Sequence, residues 1–471
     1  MRKRTFEKTI GRKLREGLSG ASPDVWPEIQ EAARAADAPE TGVRRNNLKR
    51  RLLKVPAAAA AIVICAAVGI WMLPHGGPAI KANAQTVYDN GGRLINIKTS
   101  APAKPFVDSY NSFGLKLLQQ TYWEESGKNV FQSPASVYLA LGMTYNGAKG
   151  ETAAEFAKVL GSSGNLDEFN KGCAGLQGLL DGRFRLANSI WLNSPFAGRI
   201  DGGFLARDKK SFGASVSTLN LNSPGSADII NKWVKDNTNG RIDPKYDKFD
   251  SNAAMLMINT IAFKSDWKEK FDANDTGNGI FHALSGDKTV KFMHGTRPNF
   301  IEDSTVQGVL LPYDDGKTSM LILLPKKDMN DMLAKLTVSS LAEYAAESQE
   351  SKEEVFLSLP RVNFSMDASL NDPLKAMGLK LAFDRGSADF SGMANSSLPL
   401  YIQKVRHMTY LAIDEKGTEA AAATVVEMGA GASAPPKNIM NVDHAFFAAI
   451  LNNETGTVLF SGIVNDPSVS G

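Results

Sequence analysis

A segment near the C-terminal end alternates between two kinds of residue, and this alternation restricts the possible folds more than any other feature. The even positions from Thr418 to Met428 are all uncharged and mostly small or apolar, while Glu419 and Glu427 occupy odd positions. Alternation with a period of two indicates a half-buried strand. Residues 428–436, however, are rich in Gly, Ala and Pro, as is typical of an exposed loop. The pattern fits a loop that can later enter a sheet. Four successive alanines also suit a plain helix followed by a linker, and periodicity alone favours that alternative.

An ordered series of motifs runs from Phe106 to Pro467. The motifs occupy residues 129–137, 140–143, 147–152, 187–191, 230–234, 238–242, 259–264, 311–313, 319–325, 388–392 and 459–462. In this order they resemble the serpins, a family of serine protease inhibitors. The resemblance implies one α+β domain at 106–467, with large mixed β-sheets, surrounding helices and an exposed reactive-centre loop at about residues 415–436.

The resemblance also assigns the alternating segment as the hinge of that loop. Small residues there would limit overpacking when the segment enters a sheet, and Gly417 would supply backbone freedom at the turn. The hinge residues are Glu415, Gly417, Thr418, Glu419, Ala420, Ala421, Ala422, Ala423 and Thr424.

The family's usual loop length places the bond that the protease attacks between Gly431 and Ala432. Counting from the other end of the loop moves the bond by one residue, so the range is Ala430 to Ser433. Every residue in this range is small and uncharged. An elastase-like or subtilisin-like protease with a small specificity pocket is therefore the expected target.

Two further sites are implied by the resemblance. Ser133, Ser136, Asn259 and His407 match the serpin shutter, a polar cluster beneath the centre of the main sheet, and Trp267 matches the breach, where strand insertion begins. The alternative is that all five residues only pack the core. A Ser-His-Asp catalytic site of Ser133, His407 and Asp389 is a weaker alternative, because Ser133 precedes a proline in a structural segment.

The resemblance implies a suicide inhibitor that forms a covalent acyl complex with a serine protease and traps it by inserting the cleaved loop as a strand. The alternative is a non-inhibitory member that acts as a binding or scaffold protein. Bulky, charged or proline residues in the hinge would favour that alternative, and none occurs between Ala420 and Val426. The sequence contains no metalloprotease, nucleotide-binding or hydrolase motif, so we expect no enzyme, no metal and no cofactor.

An uncharged run at residues 55–73 predicts one transmembrane helix, because nineteen residues in a helix span roughly 28 Å. Lys49, Arg50, Arg51 and Lys54 precede it, and Trp71 lies near its other end. The positive-inside rule then places residues 1–54 in the cytoplasm and the rest outside. The chain is expected to be a membrane-anchored, bacterial-type member with a spacer at 74–105. Secretion after cleavage following Ala84 is the alternative.

Charge and cysteine content limit the remaining possibilities. The formal net charge is +3, and Lys and Arg outnumber Asp and Glu in residues 1–54, so the rest of the chain is slightly acidic. We therefore expect no nucleic-acid-binding face on the domain. Cys65 lies in the apolar run and Cys173 in the domain, which excludes a disulfide framework. A monomer is expected.

Overall fold

The computed structural model describes residues 100–469, except 126, 181–182, 251, 395–397 and 419–436, together with the backbone of β1 (Gln85–Tyr88) and β2 (Leu94–Ile97). All of these residues belong to the compact unit formed by residues 82–471. The cytoplasmic segment and the transmembrane helix predicted at 1–54 and 55–73 lie outside the described residues and remain predictions. A search of the described helices finds none with the length and apolar character needed to cross a membrane.

Helices and strands occur in runs along the domain, with most of the described helices in its first half and most of the strands in its second. The described helices are α1 (Lys104–Glu124), α2 (Pro134–Tyr145), α3 (Gly150–Leu160), α4 (Leu166–Gly178), α5 (Gly202–Phe212), α6 (Ser226–Asn237), α7 (Met329–Lys335), α8 (Val338–Glu350) and α9 (Asn371–Ala376). The further strands are β3 (Val130–Gln132), β4 (Phe184–Asn193), β5 (Ser215–Leu219), β6 (Met255–Phe263), β7 (Ser265–Asp266), β8 (Gly277–Ala283), β9 (Gly286–Arg297), β10 (Phe300–Glu302), β11 (Val306–Pro312), β12 (Thr318–Pro325), β13 (Val355–Pro360), β14 (Val362–Ser369), β15 (Arg406–Ile413), β16 (Gly417–Thr418), β17 (Asn438–Asn441), β18 (Phe446–Asn452) and β19 (Val458–Val464).

The sheets contain both parallel and antiparallel pairs, so the predicted α+β class with mixed sheets is confirmed. A six-stranded sheet has the order β10-β11-β12-β18-β19-β3, and a four-stranded sheet has the order β17-β13-β9-β8. The pairs β13–β17 and β4–β5 are parallel. Strands β12, β18 and β19 consist entirely of buried residues, because the chain covers both of their faces.

Two further sheets have the strand orders β5-β4-β6 and β14-β15-β16-β7, and together they are called the split sheet. Among the described strands, no backbone ladder joins β6 to β15. Strand β7 continues β6 after the single residue Lys264, so the short β16 lies between β15 and the continuation of β6. Strand β14 alternates strictly between buried and exposed residues, which places one of its faces on the core.

Helix α2 lies in the core and positions part of the functional site. Ser133 caps its N-terminus by accepting a hydrogen bond from the backbone N–H of Ser136, and Pro134 occupies the first turn. Nearly every residue of α2 is buried, which is expected of a helix that is apolar on all sides. The ring of Tyr138 packs edge-on against Tyr110 and Phe113.

The segment predicted as a spacer, 74–105, contains two strands that the sequence analysis did not anticipate. Strands β1 and β2 pair antiparallel, with Gln85 opposite Ile97 and Tyr88 opposite Leu94. Residues such as Val, Tyr and Ile favour strands. The dipeptide Asn90-Gly91 between them is a strong hairpin signal in the sequence.

Candidate functional site

The first residues of the hinge already form a strand. Gly417 pairs with Asp266, while Thr418 pairs with Ser265 on one side and with Ile413 on the other. Thr418 is 4% exposed, and its Oγ1 lies 2.5 Å from the hydroxyl of the buried Tyr313. The structure therefore places the Thr418 side chain in the interior, the side on which the alternating pattern puts the even positions.

Gly417 is required by close packing. A Cβ atom at this position would lie 2.1 Å from the carbonyl oxygen of Ser265 and 2.7 Å from Cα of Asp266. Its φ is not in the left-handed region. The backbone freedom that the sequence analysis assigned to Gly417 is thus not what the structure uses; the missing side chain lets the hinge approach β7.

An ion pair with the exposed side chain of Arg361 anchors the buried Glu415. Glu415 is 7% exposed, and its carboxylate accepts hydrogen bonds from Nε and Nη2 of Arg361 at 2.8 and 2.5 Å. Oγ1 of Thr276 donates a third bond to it at 2.5 Å. Burial alone raises the pKa of Glu415, but the hydrogen bonds from Arg361 and Thr276 outweigh burial and hold the pKa below its usual value. Glu415 is therefore ionised and fixed at the start of the hinge.

Trp267 and Phe271 hold the hinge backbone at the breach. The indole Nε1 of Trp267 donates to the carbonyl of Asp414 at 2.9 Å, and the Trp267 backbone N–H donates to the carbonyl of Lys416 at 2.7 Å. The backbone N–H of Phe271 donates to the carbonyl of Glu415 at 2.8 Å. Three successive carbonyls at the start of the hinge, from Asp414 to Lys416, are thus bound. The Trp267 ring stacks on Tyr313 with centroids 4.7 Å apart, so the breach and the Thr418 contact share one aromatic pair.

The shutter residues form one hydrogen-bonded chain across the split sheet. On the β15 side, the backbone N–H of Ser133 donates to Nε2 of His407 at 3.0 Å. The Ser133 hydroxyl donates to the carbonyl of Leu459 at 3.0 Å and accepts from the N–H of Ser136 at 3.2 Å. Strand β15, helix α2 and strand β19 are therefore joined at the N-cap of α2.

The series of hydrogen bonds continues to the other side of the split sheet. The Ser136 hydroxyl donates to Oδ1 of Asn259 on β6, and Nδ2 of Asn259 donates to Oδ1 of Asn188 on β4 at 2.5 Å. Asn188 in turn donates to the carbonyl of Phe212 at 2.7 Å. The sequence analysis did not assign Asn188 to the shutter. Its position in the sequence offered a signal, because residues two apart in a strand share a face, and Asn188 shares its face of β4 with Leu186, Ile190 and Leu192. A polar amide among apolar residues on one face indicates a buried hydrogen-bonding role.

His407 is held neutral. Its side chain is buried, and burial lowers the pKa of His407 to about 4. Since Nε2 accepts a backbone hydrogen bond, the single proton of the neutral ring is on Nδ1.

The alternative catalytic site is not assembled. His407 bonds to the backbone of Ser133 instead of its hydroxyl, and the carboxylate of Asp389 accepts from the N–H of Ser391 at 3.0 Å. In the part of the chain that the structure describes, no group of three or more His, Cys, Asp and Glu side chains could hold a metal ion. Several predicted residues lie outside the described part and remain predictions: Glu419, Ala420, Ala421, Ala422, Ala423, Thr424, Ala430, Gly431, Ala432 and Ser433.

The family model described as Serpin (serine protease inhibitor) matches residues 108–467, which is most of the chain. The chain belongs to the serpin family. The resemblance drawn from the ordered motifs is thus confirmed. The predicted serpin fold, with mixed sheets and surrounding helices, is confirmed as well.

Several proteins are similar to this chain in sequence or structure. An uncharacterized serpin-like protein of Thermococcus kodakarensis is 33% identical over 376 residues, which cover 77% of this chain and 86% of that protein. Leukocyte elastase inhibitor A of Mus musculus is 32% identical over 374 residues, covering 75% and 97%. Among solved structures, the thermophilic serpin tengpin in its native state has a TM-score of 0.71 at 28% identity and covers 78% of this chain and 96% of its own.

Proposed function

We propose that this serpin inhibits serine proteases by trapping them as acyl-enzymes. The observation that carries the proposal is the position of Thr418, which has strand partners on both sides at the open end of the split sheet. Residues that follow Thr418 in an inserted strand would lie between β6 and β15. No backbone ladder between these strands, as far as the structure describes them, would have to be broken.

In this mechanism the target serine attacks the carbonyl of the bait residue and the peptide bond breaks, leaving the loop attached as an ester. The freed segment then adds backbone hydrogen bonds to β15 and β6 and buries its even-numbered side chains. These side chains are small from Thr418 to Ala422, so the added strand fits without overpacking. The attached protease is moved away from the loop's original position, and deacylation stalls.

The target class follows from the residues around the expected bond between Gly431 and Ala432. A trypsin-like enzyme requires a basic residue and a chymotrypsin-like enzyme an aromatic one, and neither occurs from Ala430 to Ser433. An elastase-like or subtilisin-like protease is the proposed target. One serpin with a related sequence, from mouse, carries the name leukocyte elastase inhibitor.

The direct test is a denaturing gel after incubation of the full chain with an elastase-like protease. We expect a band that resists denaturation and has the combined mass of the protease and the inhibitor fragment. Trypsin and chymotrypsin serve as matched enzymes that should not form the band. Efficient cleavage near Gly431 with no complex at any ratio would contradict inhibition and favour a non-inhibitory binding protein.

We further propose that the inhibitor acts as a monomer on the outer side of a membrane, held by the predicted helix at 55–73. The basic residues before this run support the orientation, and an anchored inhibitor would meet secreted or foreign proteases at the cell surface. A secreted form that begins after Ala84 is the alternative.

A further inference from the structure

A cavity of about 150 Å³ lies beside the breach, where the residues after β7 meet the ends of β9 and β11. Its walls are mainly apolar and aromatic, and include Trp267, Phe271 and Leu310. A dry engineered cavity of similar volume takes up benzene. The cavity is therefore large enough for a small ring or a short branched chain.

One buried cationic side chain contributes to this apolar wall. Arg297 is 8% exposed, and its guanidinium carbon lies 3.8 Å from the centre of the Phe271 ring. Nη1 donates to the carbonyl of Thr296 at 2.8 Å. Among the described residues, the buried Nη2 has no hydrogen-bond partner. A buried guanidinium nitrogen without an acceptor is costly. Nη2 itself is enclosed by protein, so a ligand would reach Arg297 through the part of its side chain that lines the cavity.

The backbone makes room for this guanidinium. A Cβ atom on Gly295 would lie 2.8 Å from Nη1 of Arg297, so a larger residue at 295 would displace the side chain. The absence of a side chain at Gly295 and the ring of Phe271 on the other side define the position of the charge. The site is thus built around Arg297.

We propose that this cavity binds a small organic carboxylate. The carboxylate would accept hydrogen bonds from Arg297, whose planar guanidinium suits a carboxylate. The apolar part of the ligand would pack against Trp267 and Leu310. A strongly hydrated inorganic anion would satisfy Arg297 but would leave the apolar wall without a partner.

The exposed carboxylate of Glu269 should weaken the binding of an anion in this cavity. Lys268 and Glu269 both line the cavity and are exposed. Burial, the larger influence, lowers the pKa of Arg297, and the charge of Glu269 in the same cavity lining raises it. Glu269 therefore opposes an anionic ligand, and its removal should strengthen binding of a carboxylate.

The cavity shares its wall with the hinge, since Trp267 and Phe271 also donate hydrogen bonds to the carbonyls of Lys416 and Glu415. A bound ligand should therefore have different affinities for the intact and the loop-cleaved protein. This one consequence rests on the proposed function, whereas binding to the intact chain does not.

The test is a ligand-observed NMR titration of the intact full chain with sodium benzoate. Benzamide is the matched neutral ligand, and sodium sulfate is the matched inorganic anion. We expect saturable benzoate binding with a Kd of about 1 mM, a size in keeping with a ligand of so few atoms. We expect at least about tenfold weaker binding of benzamide, because it lacks the charge that pairs with Arg297.

Two variants make the result specific to the site. Arg297→Gln should weaken benzoate binding by about tenfold or more. Glu269→Gln changes only an exposed side chain, so it tests the site even if the Arg297 variant does not fold, and should strengthen binding by roughly twofold to fivefold. Benzoate signals that do not saturate, equal affinity for benzamide, tighter binding of sulfate, or a Glu269 variant with unchanged affinity would each overturn the proposal.

Discussion

Replacing His407 by Gln should make the stability of the domain less sensitive to acid. In the native state Nε2 of His407 accepts a hydrogen bond from the backbone of Ser133, and burial lowers the pKa of His407 from 6.5 to about 4. Protonation would put an unpaired charge in the core and remove the acceptor. The side-chain oxygen of Gln can accept the same bond, but Gln does not titrate.

The sign of the effect follows from proton binding. The unfolded chain, with an ordinary His pKa, binds more protons than the folded chain between the two pKa values, so stability falls as the pH decreases. The contribution is fully present above the unfolded pKa and is lost as the pH falls towards the folded value. From about pH 8 to about pH 5 the loss is about 2 kcal/mol of unfolding free energy. For a domain of this size that corresponds to roughly 3 °C in Tm.

The measurement is Tm against pH by circular dichroism for the parent, for His407→Gln and for a control, His282→Gln. His282 is exposed and pairs with Asp287, and this contact raises the pKa of His282. Because His282 lies outside the core, replacing it leaves the buried acceptor of His407 in place. The difference in Tm between the parent and the His407 variant should change by roughly 3 °C towards acid pH, in favour of the variant. A constant difference over the whole pH range would refute the assignment of His407 as a buried neutral acceptor.

Three further predictions concern the loop and the anchor. Thr418→Arg would bury a charge where Thr418 now contacts Tyr313, at a cost of several kcal/mol, so the protein should become a substrate in the gel assay. Glu419→Arg is the matched control, because the alternating pattern puts odd positions on the opposite face, and equal trapping by the Thr418 variant would count against insertion. Cleavage in the loop should raise Tm strongly, because an inserted strand adds a ladder of hydrogen bonds, and a cleaved form that melts no higher than the intact form would contradict this. Protease treatment of intact cells should digest the domain after Pro105 and spare residues 1–54, whereas a soluble product starting at Gln85 would exclude the anchor.

The ordered motifs were enough to predict the fold. They include the buried strands β12 and β19 and the N-cap of α2 at Ser133. Burial and helix capping determine which residue types suit these positions. Apolar runs identify buried strands, and a Ser before Pro identifies a helix start, without any knowledge of distant contacts. The resemblance then supplied the order in which these elements assemble.

The partners of the hinge could not be predicted in the same way. Arg361 and Thr276 are far from Glu415 in the chain, and nothing in their local sequence indicates that they bind its carboxylate. The same holds for Tyr313 and Thr418. Asn188 is different, because an amide among apolar residues on one face of β4 could have been assigned from parity alone.

The structure separates two tasks within the site. At the breach, backbone hydrogen bonds from Trp267 and Phe271 hold the hinge, and the Glu415–Arg361 pair anchors its first residue. At the shutter, the described link between β15 and β6 runs through side chains and the N-cap of α2 instead of a backbone ladder. Parting these strands would therefore require only a few side-chain bonds to rearrange. Under the proposed mechanism, the breach would then control when insertion begins, and the shutter how readily the strand advances.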